Sequence, residues 1–342
     1  MNRKRSEPLR IGGYIALILG IGAIIALIII QGADDVAGAL AAVGWGLALV
    51  VIVRIIPVML DAAAWRLLFD SKYRPKMLEV QWARWIGEAV NTLLPALQVG
   101  SALVRTRILM IRGTPGHAAG ASVVVDLTLS TLTQLLFTLV GIGFLLSYYG
   151  DSNIARGAGA GVAFGLILLL LFFAFQQKGM FTWIVGIVSR VSRGRDWVSA
   201  VGGAEALDKA IKDIYKRKRL LALNAAGQML AWVIGAFEIW IALHFMGYEI
   251  SVGDAMLLES LILAVRASAF FVPGALGVQE GAFVLLGAVI GLNPEAALAL
   301  FLIKRFREII IGVPALLAWQ LTEGRNLLRH RKSEKYEDKI DV

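Results

Sequence analysis

Five consecutive residues, Lys304-Arg305-Phe306-Arg307-Glu308, set three cations and a carboxylate near the middle of an apolar run at 294–320. A charge at the centre of a bilayer costs about 2.5–3.5 kcal/mol even on lenient scales, so such groups are functional candidates by default. Guanidinium groups match phosphate oxygens through paired hydrogen bonds, and a Lys adds a point charge. Lys304, Arg305 and Arg307 therefore offer recognition of an anionic headgroup in a polar cavity. The other reading is a closed ion-pair network that ties helices together. Arg54, Asp61, Glu88, Asp126, Glu238, Arg266 and Glu280 also fall within apolar stretches. Among the acids, Glu88, Asp126, Glu280 and Glu308 are the candidate charge partners or proton carriers. Glu308, Glu280 and Asp126 are the expected partners of the 304–307 cations. Arg54 and Asp61 are seven residues apart, about two helical turns, and so share a face.

Other chemistry is excluded or unsupported. The chain has no cysteine, which rules out disulfides, zinc–thiolate and iron–sulfur sites and thiol nucleophiles. Its three histidines, His117, His244 and His330, show no paired metal-ligand spacing. No nucleophile–base constellation is evident, so no catalytic residue, metal or cofactor is expected. Gly274, Gly277 and Gly281 form a loose glycine pattern without the Lys-Ser/Thr of a phosphate loop. Close helix packing is the simpler use for it.

The elements that carry these residues must cross lipid. Of 342 residues, 58% are hydrophobic and 17% charged, and the mean hydropathy is +0.72. A soluble protein this apolar would expose large hydrophobic patches. Runs at 11–30, 45–69, 118–146, 157–175, 220–246 and 294–320 are each long enough to span a ~30 Å hydrocarbon core. They lack the period-2 alternation of a barrel strand, which leaves helices. The run at 11–30 follows a basic start but exceeds a signal-peptide core of about 7–15 residues, so it reads as a retained first helix.

Two further stretches, 77–112 and 254–292, are apolar but broken. The first holds Asn91, Pro95 and Gly100 at its middle; the second holds Pro273, Gly274, Gly277 and Gly281. Pro removes a backbone donor and Gly relaxes the chain, so each stretch reads as a hairpin, either re-entrant or fully spanning. The expected fold is an all-α polytopic membrane protein with six spanning helices plus two broken hairpins.

The basic residues outside the spans gather at 1–10, 70–76, 105–112, 178–219 and 325–339, whereas the alternate loops are mostly acidic. The positive-inside rule then places both termini in the cytoplasm. The same bias explains the net charge of +9 without invoking nucleic acid. Two spans, a broken hairpin and one span occur twice, beginning on opposite sides, which reads as an inverted-topology repeat. The organisation is a cytoplasmic N-terminus at 1–10, a first repeat at 11–146, a second at 157–320 and a charged cytoplasmic tail at 321–342. A basic cytoplasmic segment at 176–220 lies within the second repeat; over Val198–Arg219 it reads as a helix resting on anionic headgroups. His330–Val342 is expected to lack fixed structure.

At the breaks the chain resembles a known family. Glu88-Ala-Val-Asn91-Thr-Leu-Leu-Pro95-Ala-Leu-Gln-Val-Gly100 and Pro273-Gly-Ala-Leu-Gly277-Val-Gln-Glu280-Gly281 resemble two segments of the lysylphosphatidylglycerol synthase transmembrane-region family. The stretch Ala118–Gly141 looks most like its hopanoid-biosynthesis-associated (HpnL-like) branch. Ser101 and Ala102 stand where the family usually has a second Gly and an acid, while Arg105 is kept and joins the candidate headgroup-binding residues.

The resemblance implies a multi-pass protein of the bacterial cytoplasmic (inner) membrane with a flippase-like role. Related proteins fuse this region to an aminoacyl-transferring domain. These residues hold no such segment, so lipid aminoacylation is not expected. The first expectation is a translocase that moves a phospholipid or hopanoid-type lipid between leaflets. Its partners would be membrane lipids. A scaffold for lipid-biosynthesis enzymes is the second reading and an intramembrane lipid-modifying enzyme the third.

Overall fold

The computed structural model describes residues 33–93, 99–150, 153–178, 203–268 and 277–337, and within them it is helical. The helices are α1 (Ala33–Val43), α2 (Gly46–Arg66), α3 (Met77–Leu93), α4 (Val99–Ile111), α5 (Gly116–Tyr149), α6 (Asn153–Gln177), α7 (Ala204–Lys216), α8 (Lys218–Phe245), α9 (Val252–Ser268), α10 (Val278–Val289) and α11 (Pro294–Glu337). A 3-10 turn at Ser71–Tyr73 links α2 to α3. The expected span at 11–30 and breaks at Pro95, Pro273 and Gly274 lie outside the described residues, whereas Asn91, Gly100, Gly277 and Gly281 lie within them.

Three helices, α2, α5 and α8, are long and apolar enough to cross a membrane by length and composition. Each falls on a run expected to span. Their outer faces carry exposed large apolar residues, such as Ile52, Ile56 and Met59 on α2 and Leu136, Leu139 and Val140 on α5. An apolar surface this extensive is stable only against lipid or a partner.

Each broken stretch is a pair of helices, α3 with α4 and α9 with α10. Their second arms end alike. Gly113 has φ +94° and Gly291 +83°, left-handed values that favour glycine. The Gly113 and Thr114 amides donate to Met110 and Leu109 carbonyls, and the Gly291 and Leu292 amides to Ala288 and Gly287 carbonyls. This closes both helices with the same two-bond turn. Pro115 and Pro294 then open the following helices.

The packing is ordered by pairs. α2 lies along α8, α3 against α11, and α9 against α5. Small residues allow the closest approaches. A Cβ at Gly141 of α5 would sit 1.7 Å from Ser260 Oγ of α9, and one at Gly312 of α11 would sit 2.6 Å from Leu93 of α3. Gly141→Ala should lower stability by about 1–3 kcal/mol through overpacking. The measurement is the Tm in detergent, and adding Ser260→Ala should recover most of the loss.

The structure adds one helix and corrects two expectations. Residues 33–43 form a helix, α1, that packs on α11; its short, Ala-rich sequence gave no span-length signal. The basic segment is not merely a surface linker. Leu207, Ile211, Ile214 and Tyr215 of α7 are buried in the core, on an apolar face spaced three and four residues apart. Its helix begins at Ala204; residues 179–202 lie outside the described residues. Finally, α11 continues to Glu337 instead of ending before the charged tail. Leu, Arg, Lys and Glu are good helix formers even when no apolar face demands a helix.

Candidate functional site

The ionisable residues of the helices meet in two linked networks. In the first, Arg84 of α3 donates to Asp61 of α2 at 2.7 Å and to Asp126 of α5 at 3.2 Å. Arg105 of α4 donates to the same Asp126 oxygen at 2.9 Å. The other Asp126 oxygen accepts from Gln228 of α8 at 3.0 Å. Asp126 has no exposed surface, so these bonds replace the water it has lost. Gly87 makes room for this arrangement, since a Cβ there would lie 2.6 Å from Arg105 Cγ. The Arg105 guanidinium stacks 4.6 Å from the Trp65 ring centroid, and its Nε and Nη2 have no hydrogen-bond partner.

The second network holds the 304–308 cluster. Lys304 pairs with Glu259 of α9, and Arg307 with Glu238 of α8 at 2.8 Å. Arg305 donates to Glu308 at 2.8 Å and to Gln279 of α10 at 3.0 Å, while its guanidinium lies 5.2 Å from the Phe301 ring. Arg266 of α9 donates to the other Glu308 oxygen at 3.1 Å. Arg54 of α2 pairs with Glu88 of α3 at 2.7 Å and also lies within electrostatic reach of Glu238 and Glu259. It therefore joins the two networks.

A cavity of about 40 Å³ opens beside the cluster, bordered by Arg54, Glu259, Arg266, Gln279, Lys304 and Arg305. One water needs about 10–15 Å³, so the space suits roughly three waters or a small oxyanion. Arg54 Nε and Gln279 Nε2 are buried donors without partners. Within the two networks seven cations, Arg54, Arg84, Arg105, Arg266, Lys304, Arg305 and Arg307, face six carboxylates, Asp61, Glu88, Asp126, Glu238, Glu259 and Glu308. The site carries a positive excess where a low dielectric amplifies it.

The pairing agrees with the sequence for Glu308 and differs elsewhere. Asp126 sits with Arg84 and Arg105 and not with the 304–307 cations, because α5 faces α4 and α3 at that level. Glu280 is half-buried at the start of α10 and forms no ion pair among the described residues. Arg54 and Asp61 share a face, as their spacing requires, but take different partners on α3. Arg84, Glu259, Gln228 and Gln279 were not anticipated. Arg84 lies one turn before Glu88 and Glu259 two turns before Arg266, a same-face spacing that could have revealed both.

Outside the networks, Asp70 accepts the Lys72 amide at 3.0 Å and caps the 3-10 turn. That bond, helped by nearby Arg217 and Arg74, holds its carboxyl below the usual carboxylate range. No group of three or more His, Asp or Glu side chains suited to a metal ion occurs among the described residues.

The comparisons agree with this architecture. The family model "Lysylphosphatidylglycerol synthase TM region" matches residues 15–315. A "UPF0104 membrane protein" of Methanothermobacter thermautotrophicus is 22% identical over 311 residues, covering 86% of this chain and 90% of that protein. No solved structure matches the chain. With its apolar helices and a match across most of its length, the chain is a multi-pass membrane protein that belongs to the lysylphosphatidylglycerol synthase transmembrane-region family.

Proposed function

We propose that this protein is a lipid translocase that carries an anionic headgroup through the polar space bordered by α2, the second broken hairpin (α9 and α10) and α11. The carrying observation is the 40 Å³ cavity bordered by Arg54, Arg266, Lys304 and Arg305, with unpartnered donors on Arg54 and Gln279. A phosphate arriving there would compete with Glu308 for Arg305 and Arg266. Exchange of one anionic partner for another avoids leaving a bare charge in lipid. The substrate class is a phosphate-bearing lipid, either a phospholipid or a derivatised hopanoid. The headgroup ligands are Lys304, Arg305 and Arg307, while Glu308 and Glu238 balance charge in the empty state.

An inverted repeat would supply alternating access. Its support is the symmetry of the packing. Under an exchange of α2, α3, α4 and α5 for α8, α9, α10 and α11, the α3–α11 contact becomes the α9–α5 contact, and α2–α8 maps onto itself. The matching glycine turns at 113 and 291 obey the same exchange. At ~1.5 Å per residue, α4 and α10 are ~20 and ~18 Å long, short of a ~30 Å core. That favours re-entrant hairpins, and with the span expected from the sequence at 11–30 it gives six crossings, with both termini cytoplasmic.

The test is exchange of fluorescent phospholipids and hopanoids between leaflets of liposomes carrying the purified protein. Faster exchange than in protein-free liposomes is expected for at least one lipid. Baseline exchange for every lipid, with correctly inserted protein, would overturn the reading.

A scaffold for lipid-biosynthesis enzymes is the second reading, favoured by exposed Lys209, Lys216, Lys218 and Arg219 on α7 and the start of α8. The two readings separate on one comparison. Neutralising Lys216, Lys218 and Arg219 should leave lipid exchange within about twofold of wild type, since exposed charges contribute little. Loss of cellular function in that variant, with exchange intact, would favour the scaffold.

A further inference from the structure

A second cavity, of about 480 Å³, lies between the end of α2, the start of α5 and one side of α7. Its volume is in the range of small-molecule sites, about 300–1,000 Å³. Leu68, Phe69 and Ile214 give it an apolar floor, and Tyr73, His117 and Lys209 supply polar groups. The Tyr73 and His117 rings meet edge to face at 5.7 Å.

The charges around this cavity are not equivalent. Asp70 is engaged by the Lys72 amide, Asp213 by Lys216 at 2.7 Å, and Arg217 by the Leu68 carbonyl. Lys209, His117 and the Tyr73 hydroxyl take no hydrogen-bond partner among the described residues. A cation, an imidazole and a phenol thus remain for a ligand, and all three can donate to phosphate oxygens. The apolar floor suits the first carbons of an acyl or prenyl chain.

Trp65 stands between a cavity-lining residue, Phe69, and Arg105 of the first charge network. Trp65 is completely buried. Its ring packs 5.9 Å from Phe69, which lines the cavity, and carries the Arg105 guanidinium on a face. Its indole N–H donates to Ser122 Oγ at 3.1 Å. Beyond it stands Arg105, with Nε and Nη2 unpartnered.

We propose that this cavity is a headgroup-admission site for anionic phospholipid of the cytoplasmic leaflet, with Trp65 as its inner gate. Lys209, His117 and Tyr73 hold the phosphate at the mouth. Rotation of Trp65 away from Ser122 then uncovers the two free donors of Arg105. This role rests on the translocase reading, but its test needs no transport measurement.

The chain has no cysteine, so single thiols report without background. Ala118→Cys places one in the cavity wall and Ser122→Cys one behind Trp65. Each full-length variant is reconstituted and treated from the cytoplasmic side with a membrane-impermeant maleimide. Ala118→Cys should label. Dihexanoyl phosphatidylglycerol at ten times its dissociation constant should slow that labelling about tenfold, and Lys209→Ala should remove the protection. Ser122→Cys should resist labelling with Trp65 present and react once Trp65→Ala is added.

Equal protection by inorganic phosphate alone would make this a free-phosphate site and overturn the lipid assignment. Equal protection by octyl glucoside, or none by either amphiphile, would overturn headgroup recognition. Labelling of Ser122→Cys with Trp65 in place would overturn the gate. The protection arm uses intact Trp65, so it decides the site even if Trp65→Ala does not fold.

Discussion

Arg305→Ala is expected to reduce lipid exchange to the protein-free rate while the protein still folds and inserts. Arg305 reaches Glu308 and Gln279 with its two terminal nitrogens, a fork that suits two phosphate oxygens. Truncating one member of a desolvated charge pair costs about 2–5 kcal/mol of binding, on the order of thirtyfold or more. The fold should survive because Glu308 keeps Arg266 at 3.1 Å. Arg305→Lys retains the charge without the fork and should exchange lipid at an intermediate rate. The measurement is leaflet exchange in liposomes, with a detergent Tm as the folding control. A wild-type rate in Arg305→Ala would remove Arg305 from the site.

Asp126→Asn should be the most destabilising single change in the helices. Asp126 has no exposed surface and serves both Arg84 and Arg105. An amide in its place leaves two guanidinium groups beside a neutral side chain, a loss of about 3–5 kcal/mol. Arg84 can fall back on Asp61 at 2.7 Å, but Arg105 has no second carboxylate in hydrogen-bond contact among the described residues. Adding Arg105→Met should therefore restore most of the lost Tm. If Asp126→Asn melts with the wild type, the network contributes nothing to holding α3, α4 and α5 together.

The spans were legible because lipid imposes one rule along their whole length. The runs at 45–69, 118–146 and 220–246 became α2, α5 and α8 within three residues at either end. The 304–308 cluster was legible for the same reason, since its charges interrupt an apolar run. Partner choice was not. Asp126 and Arg305 both sit in apolar helices, and nothing in their spacing says that α5 turns its acid toward α4 while α11 turns its base toward α10. Arg84 and Glu259 lie in the same broken stretches as Glu88 and Arg266, and only their same-face spacing from those residues marks them. Contacts between helices far apart in sequence decide these pairings, and hydropathy carries no information about them.

The order of the paired charges along the chain sets a schedule for biogenesis. Glu238 on α8 and Glu259 on α9 precede Lys304 and Arg307 on α11, so the last helix reaches the bilayer with its counter-ions already waiting. Asp61 likewise precedes Arg84. Arg105, like Arg54 and Arg266, reverses the order, for its carboxylate lies on a later helix. An isolated α4 would thus hold a bare guanidinium in lipid, at about 2.5–3.5 kcal/mol on insertion scales. The turn from Arg112 to Pro115 is too short to let α5 lag far behind. The two helices must leave the insertion machinery as one unit, with the Arg105–Asp126 bond formed before either meets lipid alone.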